Sequence, residues 1–141
     1  MNLVDQIIKD EGFSPHAYQC PVGRTTVGYG RNIDRNGGKG LTEAEARILL
    51  NNDLIECDND LALLFGGEFW DSLDKVRRYA LVNMRFQLGP GRFRGFKNAI
   101  EAVRGRKWQA AGAEILDSRY ATQVPSRAQR IAFEIIDGIS G

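Results

Sequence analysis

"KDEGFSPHAYQCPVGRTTVGYGRNID", residues 9–34, passes from the end of a helical pattern into a β-rich stretch punctuated by glycine. Just upstream, Leu3, Val4, Ile7 and Ile8 recur at helical spacing, with Asn2 placed to cap and Gly12 to stop. A first helix therefore ends at Glu11, which projects from its last turn. From Ala17 to Ile33 the pattern changes: Gly23, Gly28 and Gly30 interrupt it, and "RTTVGYGRNI" reads as a small antiparallel hairpin. The stretch thus sets an acid (Glu11), a thiol (Cys20) and a hydroxyl (Thr26) close together, between a helix and a short sheet.

Outward from this stretch the chain is helical. "RNGGKG" at 35–40 is a loop, and "TEAE" at 42–45 is a capping box in which Thr42 caps and Glu45 reaches back. The helix it opens carries Ala46, Leu49, Leu50, Leu54, Leu61 and Leu64 on or near one face, until "FGGEF" at 65–69 interrupts. A third helix is expected from near Ser72 through Leu73, Val76, Tyr79, Ala80, Leu81 and Met84, ending at "LGPG", 88–91. Shorter helices follow at about 96–104 and 107–117, and a last one starts after Pro125 and stops near Gly138. The architecture is α+β, with a small sheet early and helices for the rest. Trp70, Trp108, Tyr79, Met84, Phe93 and Phe96 are expected in the core, and Cys57 as a packed thiol. "VRR" at 76–78 and "VRGRK" at 103–107 read as solvated helix faces rather than basic patches steering the chain onto anionic walls.

Composition narrows the function class. The 141 residues are long enough for a real core in one domain, and a hydrophobic fraction of 43% suits a globular chain. Nineteen basic residues against 18 acidic ones give no global argument for nucleic acid. Two cysteines make no disulfide framework at this length and suggest free thiols in a reducing compartment. There is no signal-like apolar run at the N-terminus and no long apolar stretch, so no stable membrane insertion is expected.

A carboxyl at a helix end beside apolar residues can serve as a general acid, because burial raises its pKa. By position alone Glu11 reads more readily as a solvated surface residue; its company changes the weighting. Glycoside hydrolysis needs an acid to protonate the leaving oxygen and a second group on the opposite face to manage water or attack the sugar. Thr26 could hold such a water, since its hydroxyl both donates and accepts, although a β-branched strand residue needs no function.

"IIKDEG", "TTVGYGRNI", "LTEAEARILLNNDL", "WDSLDKVRRYALVNMRFQLG", "GFKNAI", "RKWQAA" and "SRYATQVPSRAQRI" resemble, in order and spacing, the T4-type phage lysozymes, a family of muramidase endolysins. The resemblance runs nearly end to end. It implies a lysozyme-like fold with a cleft between two lobes in one domain, 1–141. The β lobe is about 13–40, the connecting helix about 42–64, and the larger helical lobe 1–12 plus about 65–141. It further implies hydrolysis, by an inverting route without cofactor or metal, of the β-1,4 bond between N-acetylmuramic acid and N-acetylglucosamine. The expected partners are peptidoglycan glycan strands, met by a monomer that waits in the host cytoplasm until a holin admits it to the periplasm.

By the same resemblance, Glu11 falls on the general acid and Thr26 on the water-positioning threonine. Cys20 stands where most members carry aspartate, and Arg31 where they carry histidine. Asn32, Phe86 and Gln87 fall on sugar-touching positions, while Ala99 and Glu114 occupy substrate-lining positions with different side chains. Arg127 corresponds to a supporting arginine near the acid. The segment between hairpin and capping box is shorter than in the family's best-known member.

Cys20 divides the functional readings. As a thiolate it could orient water or stabilise positive charge, given help from a cation such as Arg24 or Arg31; as a neutral thiol it would only pack under Pro21. A thiol peptidase with Cys20 as nucleophile and His16 as base is the weaker alternative, because His16 reads as a surface residue. A lytic transglycosylase and a wall-binding module with weakened turnover are the other competitors.

Overall fold

The computed structural model describes residues 2–138, so the outermost positions of the expected 1–141 domain lie outside the described residues. The fold is α+β. The order is α1 (Leu3–Glu11), β1 (Ser14–Gln19), β2 (Thr25–Gly28), β3 (Arg31–Asn32), α2 (Glu43–Phe65), α3 (Gly67–Ser72), α4 (Lys75–Arg94), α5 (Lys97–Arg104), α6 (Trp108–Leu116), α7 (Arg119–Gln123) and α8 (Pro125–Asp137). Two compact units divide within α2, one ending at Leu49 and the other beginning at Leu50.

The first unit holds α1 and one antiparallel sheet in the order β1-β2-β3. Asn2 caps α1 by accepting from the Asp5 N–H at 2.8 Å, and the Gly12 N–H closes it on the Ile8 carbonyl. Central β2 pairs Thr26 with both Tyr18 and Asn32. The β1–β2 register is irregular between Ser14 and Tyr18, where Pro15 has no N–H to offer a ladder. The capping box forms as the sequence predicts: the Glu45 N–H donates to Thr42 Oγ1 at 3.1 Å, and the Thr42 N–H to Glu45 Oε1 at 2.9 Å.

The second unit contains the hydrophobic core. Leu61, Trp70, Met84, Phe93, Ile115, Ile131 and Ile135 are all but inaccessible. Each such side chain contributes roughly 1.5–3 kcal/mol on burial. Phe96 and Trp108 pack against this core, half-buried, and Trp70 also donates from Nε1 to Asp58 at 3.1 Å.

Several helical details depart from the sequence reading. Gly67–Ser72, expected as an interruption running into a helix near Ser72, is itself the short α3, and α4 instead begins after Asp74, whose carboxylate caps the Arg77 N–H at 2.9 Å. At "LGPG" the helix breaks as expected at Gly89 (φ 81°) but resumes at Pro90, whose missing N–H costs nothing in a first turn. Helix α7, capped by Ser118, was not foreseen. Tyr79 is exposed, not core: Ala80, Leu81, Met84 and Leu88 take the inward face of α4, and Lys75 Nζ lies 5.3 Å over the Tyr79 ring.

The two basic stretches differ: residues 104–107 are exposed, as a solvated face should be, whereas residues 76–78 are partly buried. Arg77 is mostly buried, lies 4.1 Å over the Trp108 ring, and donates to the Ile135 and Ile136 carbonyls at the end of α8. Arg104 donates to the Leu64 carbonyl and Arg106 to Ser72 Oγ.

Asp60 accepts from Arg85 Nε at 2.8 Å and Arg94 Nη2 at 2.7 Å, and the Arg94 guanidinium first, then Arg85, hold its carboxyl down at about 2. Arg85 is buried, so removing its partner leaves an uncompensated charge. Asp60→Ala should therefore destabilise the fold by about 3 kcal/mol, as for a broken buried ion pair. Because the folded pKa is depressed, the contribution is complete above the ordinary carboxylate pKa and disappears as pH falls through about 2. Thermal melts of parent and variant should converge on acidification; a gap in melting temperature independent of pH would contradict this.

Candidate active site

All three residues expected to act on the bond lie in the first unit. Glu11 ends α1 and is exposed rather than set among apolar side chains. Its carboxyl lies against Gly30, in the turn between β2 and β3: a methyl group on Gly30 would come 2.8 Å from Glu11 Oε2.

Cys20 follows β1 and opens a tight turn. Its N–H donates to the Arg24 carbonyl at 2.9 Å, its carbonyl accepts from the Gly23 N–H at 2.8 Å, and its Sγ accepts from the Arg24 N–H at 3.4 Å. Backbone N–H groups of Arg24 and then Val22 lower the thiol pKa below its ordinary value, with smaller help from the Thr26 hydroxyl and the Arg24 charge. The backbone thus does most of the work that the sequence reading gave to a cation. Arg31 is engaged elsewhere: its guanidinium pairs with both carboxylate oxygens of Glu45 and donates to the Gly40 carbonyl at 2.7 Å. That pairing holds the Glu45 carboxyl down at about 2.

Thr26 is buried, at 4% exposure, and donates its hydroxyl to the Arg24 carbonyl at 2.9 Å. That single hydrogen can serve either the carbonyl or the neighbouring Cys20 sulfur, and in both cases the oxygen retains capacity to accept. Asn32 Oδ1 accepts from the Asp34 N–H at 3.0 Å. Asp34 in turn accepts from the N–H groups of Thr25 and Asn36, which lower its pKa. Arg24 reaches the same loop through the Asn36 carbonyl at 2.7 Å.

The family model for phage lysozyme matches residues 8–130. The chain belongs to the phage lysozyme family. Among its relatives is "Probable T4-type lysozyme 2" of Dictyostelium discoideum, 28% identical, with 92% of this chain and 91% of that one aligned. "Peptidoglycan hydrolase gp36" of Pseudomonas phage phiKMV is 36% identical over 91% of this chain and 14% of its own length. "Pre-baseplate central spike protein Gp5" of Enterobacteria phage T4 is 26% identical over 98% of this chain and 28% of its own length. This chain therefore spans nearly all of the slime-mould relative and only a small part of the two phage proteins. As a phage lysozyme it is a glycoside hydrolase of the muramidase class that degrades peptidoglycan.

The second unit of this phage lysozyme carries the other expected positions. Phe86 is exposed and lines a groove of about 940 Å³ with Leu54, Tyr79, Asn83 and Arg127. Arg127 donates from Nε and Nη2 to Asn83 Oδ1, at 2.9 and 2.6 Å. Gln87 Oε1 accepts from the Tyr120 hydroxyl at 3.0 Å. Buried Ala99 and exposed Glu114 share a shallow cavity of about 460 Å³ with Lys97 and Asp117. Gly30, Glu45, Asn83 and Tyr120 were not singled out as site residues from sequence; Glu45 was legible only as a cap and Gly30 only as a break in the hairpin, and the other two carried no sequence signal. Among the described residues no group of three or more His, Cys, Asp and Glu could hold a metal ion, and no helix is long and apolar enough to cross a membrane.

Cys20 and Cys57 are both free, and their environments are opposed: Cys57 is buried, and desolvation first of all raises its pKa. Thiolate, not thiol, is the nucleophile in alkylation. Iodoacetamide at neutral pH should therefore modify Cys20 and spare Cys57 in the folded protein, and modify both in denaturant. Peptide mass mapping checks this, and equal labelling of the two in the folded state would contradict the turn geometry.

Proposed function

We propose that this chain acts as an endolysin, hydrolysing the β-1,4 bond between N-acetylmuramic acid and N-acetylglucosamine by an inverting route, with Glu11 as general acid and Cys20 with Thr26 managing the water. The observation that carries the reading is the Cys20 turn, whose backbone N–H donors aim at Sγ and favour the thiolate beside Thr26, where the family usually has a carboxylate. Glu11 gives its proton to the bridging oxygen as the glycosidic bond breaks. Water attacks the anomeric carbon from the opposite face, oriented by the Thr26 oxygen and losing its proton to the Cys20 thiolate. Cys20 then releases that proton to solvent and Glu11 takes one up, which restores both groups. In this reading Arg31, Asn32, Phe86, Gln87, Ala99 and Glu114 contact substrate and Arg127 supports the acid, roles that rest on the family resemblance.

Separation supports inversion over retention. Glu11 and Cys20 meet the sheet at opposite ends of β2. A strand of that length spans roughly 10 Å at ~3.3 Å per residue. A retaining pair needs about 5–5.5 Å, whereas an inverting pair leaves room for a water.

Glu11→Gln should abolish lysis of permeabilised Gram-negative cells, by about a hundredfold or more, with circular dichroism unchanged. Near-parental lysis would remove Glu11 from the mechanism. Cys20→Ala should lose much of the activity and Cys20→Asp keep it. A water-activating base must be ionised, so activity falls as pH drops through its pKa. Replacing the thiol by a carboxylate of ordinary pKa ~3.9 should move that acidic limb to lower pH. Mass spectrometry of the products should show added water; anhydro ends or cleaved peptides would overturn the hydrolytic reading.

A further inference from the structure

The turn that meets Glu11 is short. Gly28 ends β2, Tyr29 and Gly30 turn the chain, and Arg31 opens β3. Gly30 has φ +78°, in the left-handed region that favours glycine. A methyl group there would fall 2.8 Å from Oε2, 3.0 Å from Cδ and 3.3 Å from Cγ of Glu11. Three consecutive atoms of the acid thus occupy the space a side chain at position 30 would take. Gly28 provides an internal contrast: its φ is +68°, yet nothing lies within 4 Å of the same construction. The two glycines share a backbone requirement and differ in their contact with Glu11.

A second contact joins the same turn to the same helix end. Phe13 lies two residues beyond Glu11 and Tyr29 one before Gly30, and their ring centroids are 5.5 Å apart with planes tilted by 49°. That is a favourable aromatic arrangement. It ties the chain just past the acid to the turn that receives the carboxylate.

From these contacts we infer that Gly30 is a positioning residue for the proton donor: its missing side chain forms a notch that seats the Glu11 carboxyl, and the Phe13–Tyr29 pair keeps the notch against the end of α1. The inference rests on Glu11 being the general acid. An added side chain would displace the far end of a flexible carboxylate rather than backbone, so this contact bears on chemistry, while the left-handed φ bears on stability.

The test compares Gly28→Ala, Gly30→Ala and Gly30→Asn, with kcat and KM on soluble glycan strands, melting temperature, and titration of the Glu11 carboxyl by carbon NMR. Both alanine variants carry left-handed strain; asparagine tolerates that conformation but still brings a Cβ. The Gly30 variants should lose roughly tenfold to a hundredfold in kcat, the scale of a small misplacement of a reacting group. Their Glu11 carboxyl resonance should move, while Gly28→Ala keeps that resonance and kcat near the parent despite a similar fall in melting temperature. Should Gly30→Ala fold poorly, Gly30→Asn reads the same contact with less strain. Parental kcat and an unmoved Glu11 signal in the Gly30 variants would overturn the inference, as would an equal loss of kcat in Gly28→Ala. Failure of the underlying reading looks different: Glu11→Gln would retain lysis, and the Glu11 resonance would still report whether the notch exists.

Discussion

Within the first unit Thr26 is the only buried residue among those described. A segment of that size cannot be held by apolar burial, and small folds of this kind need other ties. Here the ties are directed hydrogen bonds. Asp34 accepts backbone N–H groups from Thr25 and Asn36, Arg24 reaches the Asn36 carbonyl, and Arg31 joins β3 to the cap of α2 through Glu45. Everything reactive in this unit hangs on that polar frame, because the Cys20 turn and the Gly30 turn are the two ends of the strand it holds.

The helical unit obeys a different economy. Its stability is distributed over many buried side chains, and its charged groups serve as local fixings: Asp60 between two arginines, Arg77 at the end of α8. The polar frame of the first unit is nonetheless durable in acid. The carboxyls of Asp34 and Glu45 are both depressed, so their contributions are present above the ordinary carboxylate range and are lost only as pH falls through the lowered values. The sheet should therefore keep its hydrogen-bonded corners in conditions that already protonate ordinary surface carboxylates.

The sequence reading reached furthest where the signal is local. The α1 boundaries, the Thr42–Glu45 box, the Gly89–Pro90 break and the proline that opens α8 are each decided by residues within a few positions of one another. It reached less far where the outcome depends on distant partners. Arg77 looks like a surface charge until the end of α8 and the Trp108 ring arrive beside it. Tyr79 looks like core until Ala80 and Leu81 take the inward face. In the site, Glu11, Cys20 and Thr26 were visible through their spacing, and the need to lower the Cys20 pKa was visible too. The means was not, because backbone N–H groups leave no mark in a sequence. The partners of Arg31, Gln87 and Arg127 lie 14, 33 and 44 residues away along the chain, beyond any motif.

The turn at Cys20 has a consequence for how this protein tolerates change. Most of the help its thiol receives comes from peptide groups, which every residue type except proline carries. Substituting the side chains of Val22 or Arg24 leaves those donors in place, so the lowering of the Cys20 pKa is buffered against most point mutations nearby. The same arrangement is exposed to anything that opens the loop, whether an insertion, a cut or a proline, since the donors then disperse together. Reactivity at this position is inherited from the path of the chain, which makes it robust to genetic drift in side chains and vulnerable to drift in loop length.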